Sequence, residues 1–280
     1  MTSISEHFHK SPYLSKKHSS YFPAYDALMQ SYRGKSITFV EIGVLNGGSL
    51  FMWRSFFGPE ARIIGIDLNP GAKRWEEDGF EIHIGNQSDE AFWQKTLAEI
   101  GPIDVLLDDG GHTFRQQIIT CEQVIPFIKD GGLLIIEDIH TSYMSEFGGP
   151  SSRSFVSYAK NIVDGINYRS GKLKSTTYQD AIFYVSFFES IVAFHVNRAV
   201  SAEKSVPVEN EGEILAAVDF RHFDSQIGWA VESATRRYIG LRTLPVIAPV
   251  LAWTWKRLRV VVLWALSRKY AFSMRKYFRF

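Results

Sequence analysis

The segment that most constrains the fold is SITFVEIGVLNGGS at residues 36–49, which runs from an apolar stretch through an acid into a glycine-rich turn. The apolar residues in the first half of this segment are typical of a central parallel strand that is buried on both faces. Gly43, Gly47 and Gly48 predict a turn where the backbone can approach a ligand, because no Cβ stands in the way. Ser49 or Asn46 can cap the following helix and leave its first N–H groups facing an anion. The segment therefore predicts a strand–turn–helix unit of an open α/β sheet.

Apolar runs that end in polar residues recur further along the chain. They predict further strands at 61–70, 80–89, 102–112 and 131–140, with helices between them. Strand and helix alternate at spacings of roughly 20–30 residues, which is typical of βαβ units and a parallel sheet. The segment AIFYVSFFESIVAFHV at 181–196 then predicts two strands joined near Glu189 and Ser190, a hairpin that closes the sheet.

Changes in composition divide the chain into four parts. Residues 1–35 are polar and aromatic and are predicted to form an N-terminal cap segment that ends in a helix at 24–32. Residues 36–200 are predicted to form the α/β domain, and the turn-rich stretch 141–180 within it is predicted to be a lid or substrate-binding insertion. Residues 201–234 are predicted to connect this domain to a C-terminal tail, 235–280. The tail holds 11 Lys/Arg and no Asp/Glu, so a mildly acidic body carries a basic tail.

The tail is apolar as well as basic, and it is predicted to be helical. Its longest stretch without a charge, Thr243 to Trp255, is 13 residues long. Because a membrane span needs about 20 apolar residues, a transmembrane helix is not expected. Basic residues beside Trp253, Trp255 and Trp264 favour a segment at the surface of an anionic membrane. Packing of residues 244–280 on the body of the protein or in a homo-oligomer is the alternative, and the sequence leaves both open.

Two further features indicate the cellular compartment. Cys121 is the single cysteine, which excludes an internal disulfide. The start of the chain lacks the apolar core of a secretory signal, so we expect a cytoplasmic protein, with the tail at the inner face of the membrane if it binds lipid. No nucleic-acid partner is expected.

Acids and one histidine follow the fourth and fifth predicted strands. They are Asp108, Asp109, His112, Glu137 and Asp138. The ends of adjacent parallel strands lie about 5 Å apart, so these side chains are expected to converge. Converging carboxylates repel one another unless a cation or protons intervene. Oxygen ligands in this number suit Mg²⁺ or Ca²⁺ better than Zn²⁺, so the sequence predicts a hard divalent cation here; helix capping and solvation of the strand ends are the alternative.

Other polar residues at the predicted strand ends have chemistry suited to a nucleoside. Asp67 comes about 20 residues after Gly47 and can accept hydrogen bonds from two vicinal ribose hydroxyls, or it caps the next turn. Gln87 ends the third strand and can reach a base, although ordinary turn polarity explains it equally well. His112 is a candidate general base, because an imidazole takes up and releases protons near neutral pH.

The sequence motifs resemble a known enzyme class. VEIGVLNGGS, IIGIDLNP, GNQSD, IDVLLDDGGH and GGLLIIED are similar to the motifs of class I S-adenosylmethionine-dependent methyltransferases. More narrowly, DDGGH followed by IIED resembles the metal-dependent sugar O-methyltransferases of the macrocin and mycinamicin type. SKKHSSYFPAYDALM, before the first strand, is also similar to that group. The resemblance covers about residues 13–196, and the basic tail departs from it.

The resemblance implies a fold and a set of roles. The implied fold is a Rossmann-like, seven-stranded, mostly parallel sheet of strand order 3-2-1-4-5-7-6, with helices on both faces. His112 and Asp109 are the implied catalytic residues, and Asp109, Glu137 and Asp138 the implied Mg²⁺ ligands. The methionine end of the cofactor is implied to lie by Glu41 and Gly43, its ribose by Asp67 and its adenine by Gln87. We count Gly47 and Asp108 with these cofactor-binding residues.

We therefore expect an S-adenosylmethionine- and Mg²⁺-dependent O-methyltransferase that acts on a sugar, a glycolipid or a glycosylated polyketide. Tyr143, Glu146 and Phe147 in the insertion are the expected substrate contacts. A nicotinamide-dependent oxidoreductase is one alternative, although the spacing Gly-x-x-x-Gly-Gly does not match the dinucleotide fingerprint. A non-catalytic, membrane-recruited protein on a methyltransferase scaffold is another. In a hydroxylase the acids would hold iron, but the usual pair of histidines is not evident.

Overall fold

The structure is a computed structural model that describes residues 3–167, 178, 180–203, 206–213, 225–239 and 248–277. The chain divides into two compact units, Met1–Pro207 and Val208–Phe280. The division falls inside the range 201–234 that the sequence predicts as a connector.

Within the described residues of the first unit, seven strands form one sheet. They are β1 Thr38–Ile42, β2 Arg62–Asp67, β3 Glu81–Ile84, β4 Ile103–Asp108, β5 Ile128–Ile136, β6 Ile182–Phe188 and β7 Ile191–Val196. The strand order is β3-β2-β1-β4-β5-β7-β6, with β1 to β5 parallel and β7 antiparallel to both β5 and β6. The predicted fold class and strand order are confirmed.

Helices cover both faces of this sheet. They are α1 Ile4–His9, α2 Tyr21–Met29, α3 Gly48–Phe57, α4 Glu90–Ile100, α5 Phe114–Val124, α6 Phe155–Asn167 and the short α7 Arg198–Ser201. The buried hydrophobic residues form two clusters. One cluster contains residues of α1 to α3, and the other contains residues of α4 to α6. Phe39 belongs to the first cluster and its neighbour Val40 to the second. This alternation explains why apolar residues occupy neighbouring positions in β1.

Some local structure differs from the prediction. The helix expected at 24–32 begins earlier, at Tyr21, and ends at Met29. The strand expected at 61–70 ends at Asp67, and a 3-10 helix, Pro70–Asp78, follows it. Pro70 stands at the first helical position, where its missing N–H costs nothing, and Asn69 caps the turn by accepting from the N–H of Gly71 at 2.9 Å. Proline therefore starts a helical turn here as well as ending the strand.

The second unit contains a pair of helices, α8 Gln226–Ile239 and α9 Ala248–Ser273, and α9 continues into a 3-10 turn, Met274–Tyr277. The indole of Trp255 donates to the hydroxyl of Thr235 at 3.0 Å, and Arg259 donates to the Glu232 carboxylate at 2.6 Å. The predicted boundary between residues 234 and 235 thus falls inside α8. In the described part of the chain, neither helix is long and apolar enough to cross a bilayer.

Candidate functional site

A cavity of about 430 Å³ opens at the carboxyl ends of the parallel strands. Residues that follow β1, β2, β3, β4 and β5 line it, and the N-terminal segment from Lys16 to Tyr21 contributes a further wall. Ligands of open α/β sheets bind at this end of the strands, where the strand order reverses. In this sheet the reversal lies between β1 and β4, so the cavity stands at the expected place.

The glycine turn after β1 is shaped by close backbone approach. Gly43 has φ +92°, and a Cβ at this position would lie 2.1 Å from the carbonyl oxygen of Asp109. Only glycine therefore allows the turns after β1 and β4 to meet at the cavity. A Cβ on Gly47 would instead lie 2.4 Å from the ring of Trp75. Gly43 lines the cavity, whereas Gly47 has a packing role that supports the turn.

Asp67 orders the loop around the cavity. One carboxylate oxygen accepts from the N–H groups of Val44 at 2.8 Å and Leu45 at 3.1 Å, and the other accepts from the N–H of Asn69 at 2.8 Å. Asp67 also lines the cavity. A carboxylate offers about four acceptor sites, so about one remains for a ligand. The predicted contact of Asp67 with the ribose hydroxyls stays a prediction.

Gln87 and Asp108 brace the turn that follows β4. The amide nitrogen of Gln87 donates to both oxygens of Asp108 at 2.9 and 3.0 Å, and its amide oxygen accepts from the N–H of Gly111 at 3.0 Å. Both side chains are buried, and burial raises the pKa of Asp108. Gln87 lines the cavity. Asp108 is absent from the described lining and acts on the site through Gln87 and through Gly110, whose N–H it accepts at 3.0 Å.

Glu41 lies in the interior. It is fully buried, and its carboxylate accepts from Ser49 at 2.7 Å and from the indole of Trp53 at 3.0 Å. Burial raises the pKa of Glu41 to about 7. Among the described residues that line the cavity Glu41 does not occur. The structure therefore places the residue that was predicted to meet the methionine end beneath the surface, where it anchors α3 to β1.

Asp109, His112 and Asp138 come together at the cavity. One ligand atom from each side chain lies within 4.8 Å of the others, and Nε2 of His112 lies 3.3 Å from Oδ2 of Asp138. The adjacency of β4 and β5 produces this convergence, since Asp108 is paired with Ile136 in the sheet. The convergence of Asp109 and Asp138 is expected from adjacent strand ends, but the group contains His112 in place of Glu137, and metal binding stays a prediction.

A buried lysine lies between two of the predicted metal ligands. Nζ of Lys17 donates to Asp109 at 2.7 Å and to both oxygens of Glu137 at 3.0 Å, and it lies 3.9 Å from Glu41. The Lys17 side chain is 1% exposed. Burial alone would lower the pKa of Lys17, but the charge of Glu137, reinforced by Asp109 and Glu41, outweighs it and raises the pKa well above the ordinary value. Lys17 is therefore a fixed cation inside the acidic cluster.

Two tyrosines of α2 complete the polar network. The hydroxyl of Tyr21 donates to Asp138, and that of Tyr25 donates to Glu137. Burial is the main cause that raises the pKa of Tyr25, so its hydroxyl stays protonated and remains a donor. The two residues are spaced i, i+4 on α2 and so lie on one face of the helix. Nothing in the sequence indicates that Lys17, Tyr21 and Tyr25 bond to the predicted metal ligands.

Strained backbone surrounds the same cavity. Leu45, His112 and Asp138 are non-glycine residues with positive φ, at 44°, 58° and 55°. Each of the three lines the cavity. Such conformations cost about 1–3 kcal/mol each and concentrate at functional sites, where the surrounding structure holds them. With these backbone conformations, the side chains of His112 and Asp138 meet at the cavity.

The donor set fits a hard divalent cation in part. Asp109 and Asp138 supply carboxylate oxygens and are partly exposed, at 21% and 19%. With Glu137 they form three carboxyl groups that, when ionised, carry three negative charges, and Lys17 cancels one of them. The remaining charge matches a divalent cation. Glu137 is fully buried and bonds to Lys17 and Tyr25. The prediction that Glu137 is a metal ligand therefore requires Lys17 to give up its hydrogen bonds to this carboxylate.

The insertion after β5 contains the three residues that are predicted to contact the substrate. Tyr143, Glu146 and Phe147 lie in two 3-10 turns, Ile139–Tyr143 and Ser145–Phe147, and none of the three is among the described residues that line the cavity. Their predicted contact with substrate stays a prediction. His140, in contrast, lies with His18 and Asp138 in a second group of metal-ligating side chains. Its Nδ1 also contacts the Ser190 hydroxyl at 2.8 Å.

Part of the chain is similar to known proteins. Residues 40–139 match the family model described as a methyltransferase domain. The matched residues are similar to a methyltransferase domain. This domain holds the glycine turn, Asp67 and the acids of the cavity, and the class I methyltransferase resemblance predicted from the sequence is confirmed.

The relatives narrow the comparison to sugar O-methyltransferases. The chain is 30% identical over 220 residues to mycinamicin VI 2''-O-methyltransferase of Micromonospora griseorubida, covering 69% of this chain and 52% of that protein. It is 31% identical over 158 residues to a rhamnosyl-tetracenomycin 3'-O-methyltransferase of Streptomyces olivaceus, covering 52% of this chain and 40% of that protein. The chain thus spans about half the length, or less, of these relatives.

A solved structure agrees with these sequence relatives. The methyltransferase MycE, in complex with Mg, SAH and mycinamycin VI, matches with a TM-score of 0.66 and 26% identity, over 74% of this chain and 56% of that one. The predicted likeness to the macrocin and mycinamicin group is thereby confirmed.

Proposed function

We propose that the chain is an S-adenosylmethionine-dependent O-methyltransferase that uses Mg²⁺ or another hard divalent cation and acts on a sugar hydroxyl. The observation that carries the proposal is the convergence of Asp109, His112 and Asp138 at the cavity. The named activities of the relatives and the Mg and SAH bound to MycE support it.

The cavity suits the cofactor in both shape and chemistry. Leu45 and Leu68 are large apolar side chains that stay 81% and 68% exposed while lining the cavity. Together with Ile66 they offer an apolar wall for a purine. Asp67 has an acceptor site left for one ribose hydroxyl. Gly43 lines the cavity where the turns after β1 and β4 meet, so the methionine part would lie close to the backbone there.

The residues around the acceptor hydroxyl divide the chemical work. A divalent cation, when bound, lowers the pKa of a coordinated hydroxyl and fixes its position. Asp109 and Asp138 would hold such an ion. Asp138 also orients the imidazole of His112, whose neutral form removes the hydroxyl proton as the oxygen attacks the sulfonium methyl group. Tyr21 holds Asp138 in place through its hydrogen bond.

We further propose that the acceptor is a hydroxylated saccharide of a glycolipid or a glycosylated polyketide. The relatives are named for sugar positions on macrolides and tetracenomycins, which supports a sugar-bearing acceptor. None of these observations favours a nicotinamide-dependent oxidoreductase or a non-catalytic protein, since both would leave the acids and His112 without a role.

A direct assay tests the proposal. The protein is incubated with S-adenosylmethionine carrying a labelled methyl group, with Mg²⁺, and with a panel that includes mycinamicin VI, a rhamnosylated tetracenomycin and a glycolipid extract. We expect label on the sugar of at least one acceptor, loss of transfer with a chelator, and recovery on adding Mg²⁺. Binding of S-adenosylmethionine without transfer to any acceptor, or transfer that the chelator leaves unchanged, would contradict the proposed function.

Asp67→Ala is expected to weaken S-adenosylmethionine binding by about tenfold or more. The carboxylate orders Val44 and Leu45 and offers an acceptor to the ribose, and a hydrogen bond to a charged group contributes about 1.5–3 kcal/mol. Calorimetric titration measures the effect. Asp78→Ala is the matched control, because Asp78 is exposed on the 3-10 helix that follows. Equal affinities of the two variants would show that Asp67 does not touch the cofactor.

A further inference from the structure

Helix α9 is half-buried along one long face, and it is exposed elsewhere, where Leu258 and Val261 are also 50% and 59% exposed. Its inner face is half-buried, and Trp255 and Arg259 on this face bond to α8. Val262 and Leu266 continue the inner face at helical spacing and are also half-buried. The inner face is thus accounted for by the packing of α8 on α9.

The other long face, which we call the outer face, consists of Val250, Trp253, Arg257, Val260, Trp264 and Arg268. At 100° per residue these six positions fall within about 80° of the helix circumference. The apolar members are strongly exposed: Trp253 by 64%, Trp264 by 61% and Val250 by 66%. Exposed indoles and valines in one stripe cost hydration free energy, so the stripe indicates a surface that another body covers.

The charges on the outer face are all of one sign and are placed on its aromatic rings. The guanidinium of Arg257 lies 5.5 Å from the ring centre of Trp253, and that of Arg268 lies 5.6 Å from the ring centre of Trp264. Each pair is spaced i, i+4, one turn apart. From Thr235 to Phe280 the sequence contains no Asp or Glu. The partner must therefore offer negative charge and an apolar layer together.

We propose that the outer face of α9 docks on an anionic lipid bilayer, with α9 lying in the plane of the membrane surface. Indoles are favoured at the level of the lipid headgroups, and arginine can bury its aliphatic stem while its guanidinium reaches a phosphate. Val250 and Val260 enter the acyl boundary beside the indoles.

Other occupants fit the outer face less well. A second copy packed on the same face would bring Arg257 and Arg268 against the same arginines, with no acid on the described part of α9 to pair with them. A nucleic acid would satisfy the arginines but would leave Val250 and Val260 exposed to water. The bilayer satisfies both the charges and the apolar side chains. This inference is independent of the proposed methyl transfer.

Vesicle sedimentation with the full chain tests the inference. Vesicles of phosphatidylcholine alone are compared with vesicles in which about a third of the lipid is phosphatidylglycerol. We expect binding to the anionic vesicles that is at least about tenfold tighter than to neutral ones and that weakens at high salt, because salt screens the arginines.

Two variants remove the two parts of the outer face. Trp253→Ser with Trp264→Ser, and Arg257→Gln with Arg268→Gln, are each expected to weaken binding to anionic vesicles by about tenfold or more. Trp229→Ser is the matched control, since Trp229 is 58% exposed but lies on α8, and it should bind as the unaltered chain does. Circular dichroism and S-adenosylmethionine titration show that each variant is folded.

Three results would overturn the inference. The first is equal binding of neutral and anionic vesicles, or binding to neither. The second is a dimer in gel filtration that the tryptophan variant disperses, which would assign the outer face to a second copy. The third is binding to duplex DNA that exceeds binding to anionic vesicles. None of these outcomes bears on methyl transfer to a water-soluble acceptor, which is measured separately.

Discussion

Asp138→Asn is expected to lower kcat for methyl transfer by about 10³-fold while the Kd for S-adenosylmethionine changes less than about twofold. Asp138 is the residue on which the catalytic groups converge, since it contacts His112 and accepts from Tyr21. Asparagine keeps the shape but loses the charge that holds a cation and orients the imidazole.

Steady-state kinetics with a sugar acceptor and calorimetric titration with the cofactor measure the two effects separately. Asp78→Asn, on an exposed turn, serves as the control for the loss of one carboxylate. A fall in cofactor affinity that equals the fall in kcat would contradict the division of the cavity into a cofactor part around Asp67 and a reactive part around Asp138.

Lys17→Met is expected to lower the free energy of unfolding by about 3–5 kcal/mol in the absence of divalent cations, because it leaves buried Glu137 and Asp109 without their counter-charge. Added Mg²⁺ should stabilise this variant more than it stabilises the unaltered chain, since an ion that binds only the folded state stabilises it and Lys17 no longer competes for Asp109. Urea unfolding with and without Mg²⁺ measures both effects.

Lys16→Met provides a matched control for this experiment. Lys16 precedes Lys17 in the chain but is exposed, and it should change the free energy of unfolding by less than about 0.5 kcal/mol. Equal effects of the two substitutions, or a Lys17 variant that is indifferent to Mg²⁺, would show that Lys17 does not share the acidic cluster with a cation.

The sequence predicts the sheet and the acids of the cavity because both depend on local pattern. The apolar run of β1 and the glycines after it define a strand–turn–helix unit, and parallel strands bring their carboxyl ends to one edge. The meeting of Asp109 with Asp138 follows from the adjacency of β4 and β5. Strand order beyond that came from the family resemblance, since periodicity alone does not fix which strands are neighbours.

The contacts that differ from the prediction depend on segments distant in sequence. Lys17 reaches Glu137 across 120 positions of the chain, and no local pattern indicates that a lysine fills the place between two predicted metal ligands. The burial of Glu41 could not be predicted from the local sequence either, because it depends on Ser49 and Trp53 facing inward from α3. The direction of Tyr143 likewise depends on how the insertion folds.

The central claim is that the ends of β4 and β5 hold a divalent cation beside the bound cofactor. A crystal structure of the protein grown with Mn²⁺ and S-adenosylhomocysteine, with anomalous diffraction from the manganese, tests it most directly. We predict an anomalous peak at coordination distance from both Asp109 and Asp138, with the cofactor product in the adjoining cavity. Product bound in the cavity with no anomalous peak there, and Lys17 still bonded to Asp109 and Glu137, would contradict the account.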